Sequence, residues 1–353
     1  MNNKLPILRT PVLRTEHLAV GYLSGRAKNA PVANGVNVEI YAGQLICLLG
    51  PNGSGKSTLL RTLAGLQPKL GGVVEIGGIN SGKLKPPQLA KMISLVLTDS
   101  VRLSNLNVYS LVALGRYPHS NWLGTLEEAD RAVIDLAITQ TRIGHFLDRK
   151  IATLSDGECQ KVMLARAIAQ DTPLLMLDEP TAHLDLPSRI QLMRLLLRLA
   201  RQTHKGILIS THELDLALQV ADEVWLLSGE GHLHRGTPED LVLNGTFETA
   251  FNKEGILFDK ASGSFPMNQG NGKYIMLEGS GTSAFWTGRA LQRMGFTVNP
   301  VNPGNPDSPP SDIDIIRILE QDGHTSWILE QEGRRQEHGT IESLLQALND
   351  KSF

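Results

Sequence analysis

Cysteine is nearly absent: Cys47 and Cys159 are the only two in 353 residues. Two thiols build no disulfide framework, and their spacing fits no metal-ligand pattern. A reducing compartment is the simple expectation. No apolar run approaches the ~20 residues of a membrane-spanning helix. Met1 to Leu8 also lacks an apolar core of signal-peptide length. If the protein works at a membrane, another chain is expected to hold it there. Net charge is scarce as well, since 34 Lys and Arg against 36 Asp and Glu leave −2. No basic stretch marks a nucleic-acid surface, so no nucleic-acid partner is expected. Internal repeats and long heptad insertions are not evident. What remains, 41% hydrophobic and 20% charged residues, is the composition of a globular protein. The length suits two domains, or one large domain with an appendage.

Glycine is plentiful, with 34 copies, and one cluster of it is organised. Residues 50 to 58 read Gly50-Pro51-Asn52-Gly53-Ser54-Gly55-Lys56-Ser57-Thr58 and contain Gly-x4-Gly-Lys-Ser. An apolar strand candidate, Leu45 to Leu49, precedes it, and a helix candidate, Ser57 to Leu66, follows. By itself the cluster could be an ordinary glycine turn. The strand and helix around it are the context that a phosphate loop needs. The glycines let the chain curl until successive N–H groups point inward at an anion, and the helix N-terminus adds partial positive charge. Lys56 is expected to reach the β- and γ-phosphates of a nucleotide, and the Ser57 hydroxyl to ligate Mg²⁺.

Elsewhere the pattern alternates. Val36, Val38 and Ile40 recur at every second position and predict a strand over Val36 to Tyr41. Gly-bounded Val73 to Ile76 and the run Ile93 to Leu97 read as further strands. From Val108 to Leu147 the pattern is helical, interrupted by Gly115-Arg116-Tyr117-Pro118-His119. Helical runs at Gly157 to Ala169, Pro187 to His204 and Leu214 to Ala221 alternate with short apolar strands at Leu174 to Leu177, Gly206 to Ser210 and Glu223 to Leu227. Such alternation argues for a parallel sheet covered by helices.

A phosphate loop does not name a reaction, but two more segments do. Leu154-Ser155-Asp156-Gly157-Glu158-Cys159-Gln160-Lys161 and Leu174-Leu175-Met176-Leu177-Asp178-Glu179-Pro180 resemble the signature and Walker B motifs of ATP-binding cassette (ABC) ATPases. Ser155 precedes Asp178 by 23 residues, and His212, in Ser210-Thr211-His212-Glu213, follows Glu179 by 33. Ala182-His183-Leu184-Asp185 resembles the family's D-loop, and Tyr22 sits where the family sets an aromatic against adenine. The resemblance spans residues 12 to about 250. Alone, Asp178-Glu179 would read as a solvated pair, His212 as an ordinary surface or core residue, and Ser155 as a helix cap. Joined in this order, they imply a site. The implied roles are ATP on Tyr22, Gly50 and Asn52 to Thr58; Mg²⁺ on Ser57 and Asp178; Glu179 as general base; and His212 and Lys56 at the γ-phosphate. They also imply a homodimer in which Ser155, Gly157, Glu158 and Asp185 complete the partner's ATP site. The implied fold is an α/β phosphate-loop NTPase of ABC type. It has a parallel core sheet, an antiparallel β subdomain and a helical subdomain over about residues 98–160.

Two positions depart from the pattern. Asp156 replaces the first Gly after the signature Ser, as importer ATPases often have it, and no loss of activity is expected. Thr98 stands where the Q-loop Gln normally reaches Mg²⁺, and is expected to act there through a bridging water. Val108 to His119 resembles ATPases that import iron-siderophores, haem and cobalamin, and Gly236-Thr237-Pro238-Glu239-Asp240 resembles that family's end-of-domain turn. An amphipathic helix with a proline stop is the plain reading of the first segment. The resemblance implies a permease dimer in the membrane, a substrate-binding protein beyond it, and a peripheral place for this chain on the cytoplasmic face of the inner membrane. The alternative is a soluble ABC ATPase that moves a non-membrane partner.

Composition shifts near residue 255. The expected domains are 1–255, a linker at 256–272 rich in Gly, Ser and Asn, and a small α/β or α+β domain at 273–353. Many importer ATPases end near residue 255, so this domain is an addition. Its Gly279-x-Gly281-x-x-Ala284 follows a strand candidate and opens a helix candidate. No acidic residue follows at the place a dinucleotide site needs, so a tight strand-to-helix turn is the expected reading. The expected role of the domain is to stabilise the dimer or tune its activity.

Overall fold

A computed structural model describes residues 10–22, 30–97, 105–120, 125–182, 184–251, 258–260, 263, 273–300, 313–321, 324–331 and 333–349. Thr98 and His183 lie outside the described residues, as does most of the expected linker. The chain divides into two compact units, Met1–Ser264 and Phe265–Phe353.

The first unit carries two sheets. One has six strands in the order Leu233–Gly236, Glu223–Leu227, Leu45–Leu49, Gly206–Ser210, Leu174–Asp178 and Ile93–Val96. All neighbours are parallel except the edge pair of Leu233–Gly236 with Glu223–Leu227. The expected parallel sheet therefore ends in one antiparallel strand. The three central strands are buried at every position, which is why they read as unbroken apolar runs. Helices supply the covering layer. In Leu186–Thr203 the buried residues are Leu192, Met193, Leu196, Leu199 and Ala200, one stripe at helical spacing.

The other sheet is antiparallel and centres on Leu13–Tyr22. Here the expected strand Val36 to Tyr41 is corrected. Val36 ends the strand Ala30–Val36, and Glu39–Ile40 is a separate short strand. Val36, Val38 and Ile40 are all buried, so the alternation is real, but the ladder is interrupted between them. Thr15 fills the gap: its hydroxyl donates to Val36 O at 2.9 Å and accepts from Val38 N at 3.0 Å.

Three helices form the helical subdomain: Val108–Ala113, Glu128–Thr141 and Asp156–Ala169. Between the first two, Gly115 lies against the last turn of the third. A Cβ at Gly115 would fall 2.3 Å from Arg166 O, so no larger residue fits without movement.

The second unit has a five-stranded mixed sheet in the order Thr297–Pro300, Tyr274–Glu278, Asp314–Gln321, His324–Gln331 and Arg334–His338. The first three strands are parallel and the rest antiparallel. Helices Gly281–Arg293 and Ile341–Asn349 contribute Leu291, Leu344 and Leu348 to a core with Ile275, Leu277, Ile316, Trp327 and Leu329. The Trp327 indole donates to Thr287 Oγ1 at 2.7 Å, which satisfies its one polar atom. Arg334–His338 was not expected as a strand, since its five residues, Arg-Arg-Gln-Glu-His, hold no apolar alternation.

Candidate active site

Parallel register builds the site. Leu48 pairs with Ser210, and Ser210 with Asp178. The carboxyl ends of three strands thus stop at one level, where the chain leaves the sheet and ligands are bound in folds of this kind. Gly50, Glu179 and Thr211 are within two residues of those ends.

The loop Gly50 to Gly55 turns with Gly50 at φ 151°, Gly53 at 77° and Gly55 at 100°. A Cβ on Gly50 would meet Leu227 O at 2.2 Å, and one on Gly55 would meet Val32 Cγ1 at 1.9 Å. Close packing and left-handed backbone both demand glycine at Gly55. Helix Lys56–Leu63 follows directly. Lys56 is buried, and its ammonium donates to Gly50 O at 2.9 Å and Pro51 O at 3.1 Å. Burial pulls its pKa down, while the Glu179 and Asp178 carboxylates pull it back up. Ser54 Oγ is buried with no hydrogen-bond partner, a vacancy in hydrogen bonding that an anion in the loop would fill. Tyr22 OH lies 3.1 Å from Thr58 Oγ1 with its ring exposed, which ties the expected adenine residue to the loop helix. Asn52 and Gly53 are exposed at the tip of the turn.

Beside the loop, Ser57 Oγ donates to Asp178 Oδ1 at 3.1 Å, and Ser210 Oγ donates to the same oxygen at 2.6 Å. Glu179 is next, at φ 47°. A left-handed conformation costs a residue with a side chain about 1–2 kcal/mol, so other contacts must hold it. Two of them come from Ser210, whose hydroxyl and carbonyl accept from Glu179 N at 2.9 and 3.1 Å. The turn aims the side chain at His212, whose Nε2 lies 2.7 Å from Glu179 Oε1. Lys56, Ser57, Asp178, Glu179 and His212 are therefore one cluster. In the sequence Ser210 reads as the end of a strand and a neighbour of His212, with no site role. Its place became visible through the register that sets it opposite Asp178.

The signature residues form a second, separate group. Ser155 caps helix Asp156–Ala169, and a reciprocal pair of bonds joins it to Glu158: Glu158 N donates to Ser155 Oγ at 3.2 Å, and Ser155 N to Glu158 Oε2 at 2.9 Å. The Ser155 N–H and the Arg149 guanidinium, 2.9 Å away, hold the Glu158 carboxyl below the usual range. Gly157 faces Leu184, with 3.3 Å from its would-be Cβ to Leu184 Cδ2. Asp185 caps helix Leu186–Thr203 through Ser188 N at 3.1 Å, and the Ser188 hydroxyl, then its N–H, lower the Asp185 pKa. Among the described residues, no hydrogen bond or ion pair joins Ser155, Gly157, Glu158 or Asp185 to the phosphate loop.

The interrupting segment Gly115 to His119 has two sides. Arg116 is buried and donates through Nε to Asp130 Oδ1 at 2.8 Å and through Nη1 to Ala169 O at 3.1 Å. His119 Nε2 lies 2.9 Å from Gln170 O, and the Gln170 amide donates to Ala90 O and Ile93 O at 2.7 and 2.9 Å. Leu114 and Tyr117 point outward, at 45% and 75% exposed. Nearby, a cavity of about 780 Å³ is walled by Leu66, Leu84, Leu89, Leu95, Leu97 and Gln170 among others.

Comparison with known proteins names the arrangement. Residues 33–182 match the family model of the ABC transporter, and residues 271–349 that of the iron ABC transporter C-terminal domain. An uncharacterised ABC transporter ATP-binding protein of Methanocaldococcus jannaschii is 36% identical over 277 residues, which is 77% of this chain and 93% of that protein. The iron(3+)-hydroxamate import ATP-binding protein of Bacillus subtilis is 32% identical over 239 residues, 68% of this chain and 87% of its own. Among solved structures, a transporter described as being of metal-chelate type, in an inward-facing conformation, superposes with a TM-score of 0.59. It is 26% identical over 69% of this chain and 89% of that one. Phosphate loop, strand-end carboxylates and relatives agree: the chain belongs to the ATP-binding cassette transporter family and is an ATPase.

Proposed function

We propose that this chain is the ATP-hydrolysing subunit of an importer for a metal chelate of the iron-siderophore, haem or cobalamin type, working as a homodimer beneath a permease dimer at the cytoplasmic face of the inner membrane. The Glu179–His212 contact at 2.7 Å, beside the bonded pair Ser57 and Asp178, carries the chemical part of this reading. The hydroxamate-importing relative and the metal-chelate type neighbour support the cargo class. In the proposed domain plan, residues 1–255 form the ATPase, 256–272 a linker and 273–353 an accessory domain that stabilises the dimer or tunes its activity.

In the proposed reaction, Lys56 and the loop N–H groups hold the β- and γ-phosphates. Glu179 accepts a proton from water as the water oxygen bonds to the γ-phosphorus and ADP leaves. His212, bonded to Glu179, keeps that carboxylate turned toward the water and contacts the γ-phosphate. Ser57 and Asp178, hard oxygen donors already in contact, would hold Mg²⁺, which would supply positive charge against the phosphates. Thr98 is proposed to assist through water. The second group, Ser155, Gly157, Glu158 and Asp185, has no bond to its own loop and is proposed to close on the partner's ATP. ATP then favours the joined state, and hydrolysis releases it. For the permease, exposed Leu114 and Tyr117 and the apolar-walled cavity near Gln170 offer a seat. The chain holds no helix, among its described residues, long and apolar enough to cross a membrane.

Glu179→Gln tests the reaction. It removes the base and keeps the shape, so ATP stays bound and the dimer accumulates while turnover falls by roughly 10² or more. Turnover near that of the unaltered protein would require another base.

A further inference from the structure

Ser210 is the last residue of strand Gly206–Ser210, fully buried and in register with Asp178. Its hydroxyl has two partners that belong to two different tasks. It donates to Asp178 Oδ1 at 2.6 Å, closer than the Ser57 hydroxyl at 3.1 Å, and accepts from Glu179 N at 2.9 Å. Hydroxyls can do both at once. One buried side chain therefore holds the carboxylate assigned to Mg²⁺ and the strained backbone of the residue assigned as base.

We propose that Ser210 is the positioning residue of the hydrolytic pair: its hydroxyl fixes the Asp178 carboxylate for Mg²⁺ and locks Glu179 in the left-handed turn that points it at His212. The proposal rests on the roles given to Asp178 and Glu179 above. The other hydroxyl on Asp178 Oδ1 belongs to Ser57, at 3.1 Å. Ser57 is itself assigned to Mg²⁺ and would share its oxygen with the metal. Ser210 sits at a buried strand end and is assigned no metal contact of its own. A serine that served packing alone would tolerate loss of its hydroxyl without any change in the metal requirement.

Four variants in the full-length protein decide the matter: Ser210→Ala, Ser210→Thr, Ser210→Val and Asp178→Asn. Thr keeps the hydroxyl, and Val is close to it in shape without one. The first readout needs no turnover: the Mg²⁺ concentration at the midpoint of trinitrophenyl-ATP binding. The second is kcat at saturating Mg²⁺, with melting temperatures as the check on folding. Hydrogen bonds to charged groups are the stronger ones, so Ala and Val are expected to raise the Mg²⁺ midpoint about tenfold and lower kcat about tenfold. Thr should stay within about twofold of the unaltered protein on both. An unchanged Mg²⁺ midpoint in Ala and Val, or a Thr variant that behaves as Val does, overturns the proposal. If the larger Thr and Val do not fold, Ala, which removes a single atom, decides alone. Asp178→Asn separates the two levels. A shift in Asp178→Asn without one in Ser210→Ala leaves the metal assignment standing and removes Ser210 from it. No shift in either removes both.

Discussion

Replacing Asp130 by Asn asks what the Gly115 to His119 segment is built for. Arg116 and Asp130 are 8% and 7% exposed. Besides Arg116, Asp130 serves the N-terminus of helix Glu128–Thr141, where Glu127 N donates to its Oδ2 at 3.0 Å. Asn preserves shape but keeps one oxygen where two accept, so the charge goes and with it one of the two acceptors. A guanidinium then stays in a place that water hardly reaches. Removing one partner of a buried pair costs about 3–5 kcal/mol. Ala169 O still accepts from Arg116, which argues for the lower end, about 3 kcal/mol. In a unit of this size each kcal/mol moves the melting temperature by about 2–4 °C, so a fall of about 6–12 °C is expected. Asp171→Asn is the control. Its partner Lys205 lies 2.8 Å away, but the Asp171 side chain is 54% exposed. The Lys205 side chain is itself 12% exposed but keeps a second acceptor, Thr172 O at 2.9 Å. The loss should therefore stay near the upper end for a part-exposed pair, about 1 kcal/mol, and the Asp171 φ of 51° suits Asn. The pH dependence gives a second check. The Arg116 hydrogen bond holds the Asp130 carboxyl below its ordinary range. A group whose folded pKa is lowered adds stability that is complete above the unfolded value, about 3.9, and is lost as pH falls through the folded one. The gap between the unaltered protein and Asp130→Asn should therefore be full at neutral pH and close in acid. Thermal unfolding from neutral pH down to strongly acid buffers measures it. A loss at neutral pH no larger than that of Asp171→Asn, or a gap that persists in acid, would refute the reasoning.

Two further outcomes follow from the same geometry. Tyr117→Ala removes a ring that is 75% exposed, so the melting temperature and basal ATPase should hold while ATPase in permease-containing membranes falls several-fold; equal coupled rates would move the seat elsewhere. A chain ending at Ser264 tests the accessory domain. It retains Phe258, buried and stacked on Phe247 at 5.5 Å between centroids, which an end at Gly255 would remove. It should hydrolyse ATP at the basal rate but dimerise and couple less well, and unchanged dimerisation in sedimentation with unchanged coupling would count against a role for the C-terminal unit.

Some of this was open to reading from the sequence and some was not, for physical reasons. The phosphate loop is legible because its constraint is local. Left-handed backbone at Gly53 and Gly55 and close approach at Gly50 and Gly55 demand glycine at fixed spacing. Leu174 to Leu177 is legible because a strand buried on both faces tolerates little but apolar residues. Arg116 and Asp130 were not legible as a pair. They lie 14 residues apart on either side of an interruption, and only the packing of three helices brings them together. Val36 to Tyr41 misleads because burial alternates even where the ladder breaks. Arg334–His338 escapes because an edge strand needs only a partner's backbone, here His324–Gln331, and can be polar throughout.

The two groups of site residues differ in how they spend their own hydrogen bonds, and this bears on the proposed dimer. In the first group the bonds converge. Ser57, Ser210, Asp178 and Glu179 hold one another in one chain through their own hydrogen bonds. In the second group the bonds turn inward on two helix ends, Ser155 with Glu158 and Asp185 with Ser188. Ser155 and Glu158 satisfy each other, and Arg149 offsets the Glu158 charge that would otherwise repel a phosphate. A Ser hydroxyl that accepts one bond keeps its own proton to donate. The signature end is thus a preformed donor with nothing in its own chain's loop bonded to it. In the proposed dimer, preorganisation on both sides would leave closure to cost little beyond bringing two copies together. The binding energy of ATP can then go into joining the copies rather than into ordering either face.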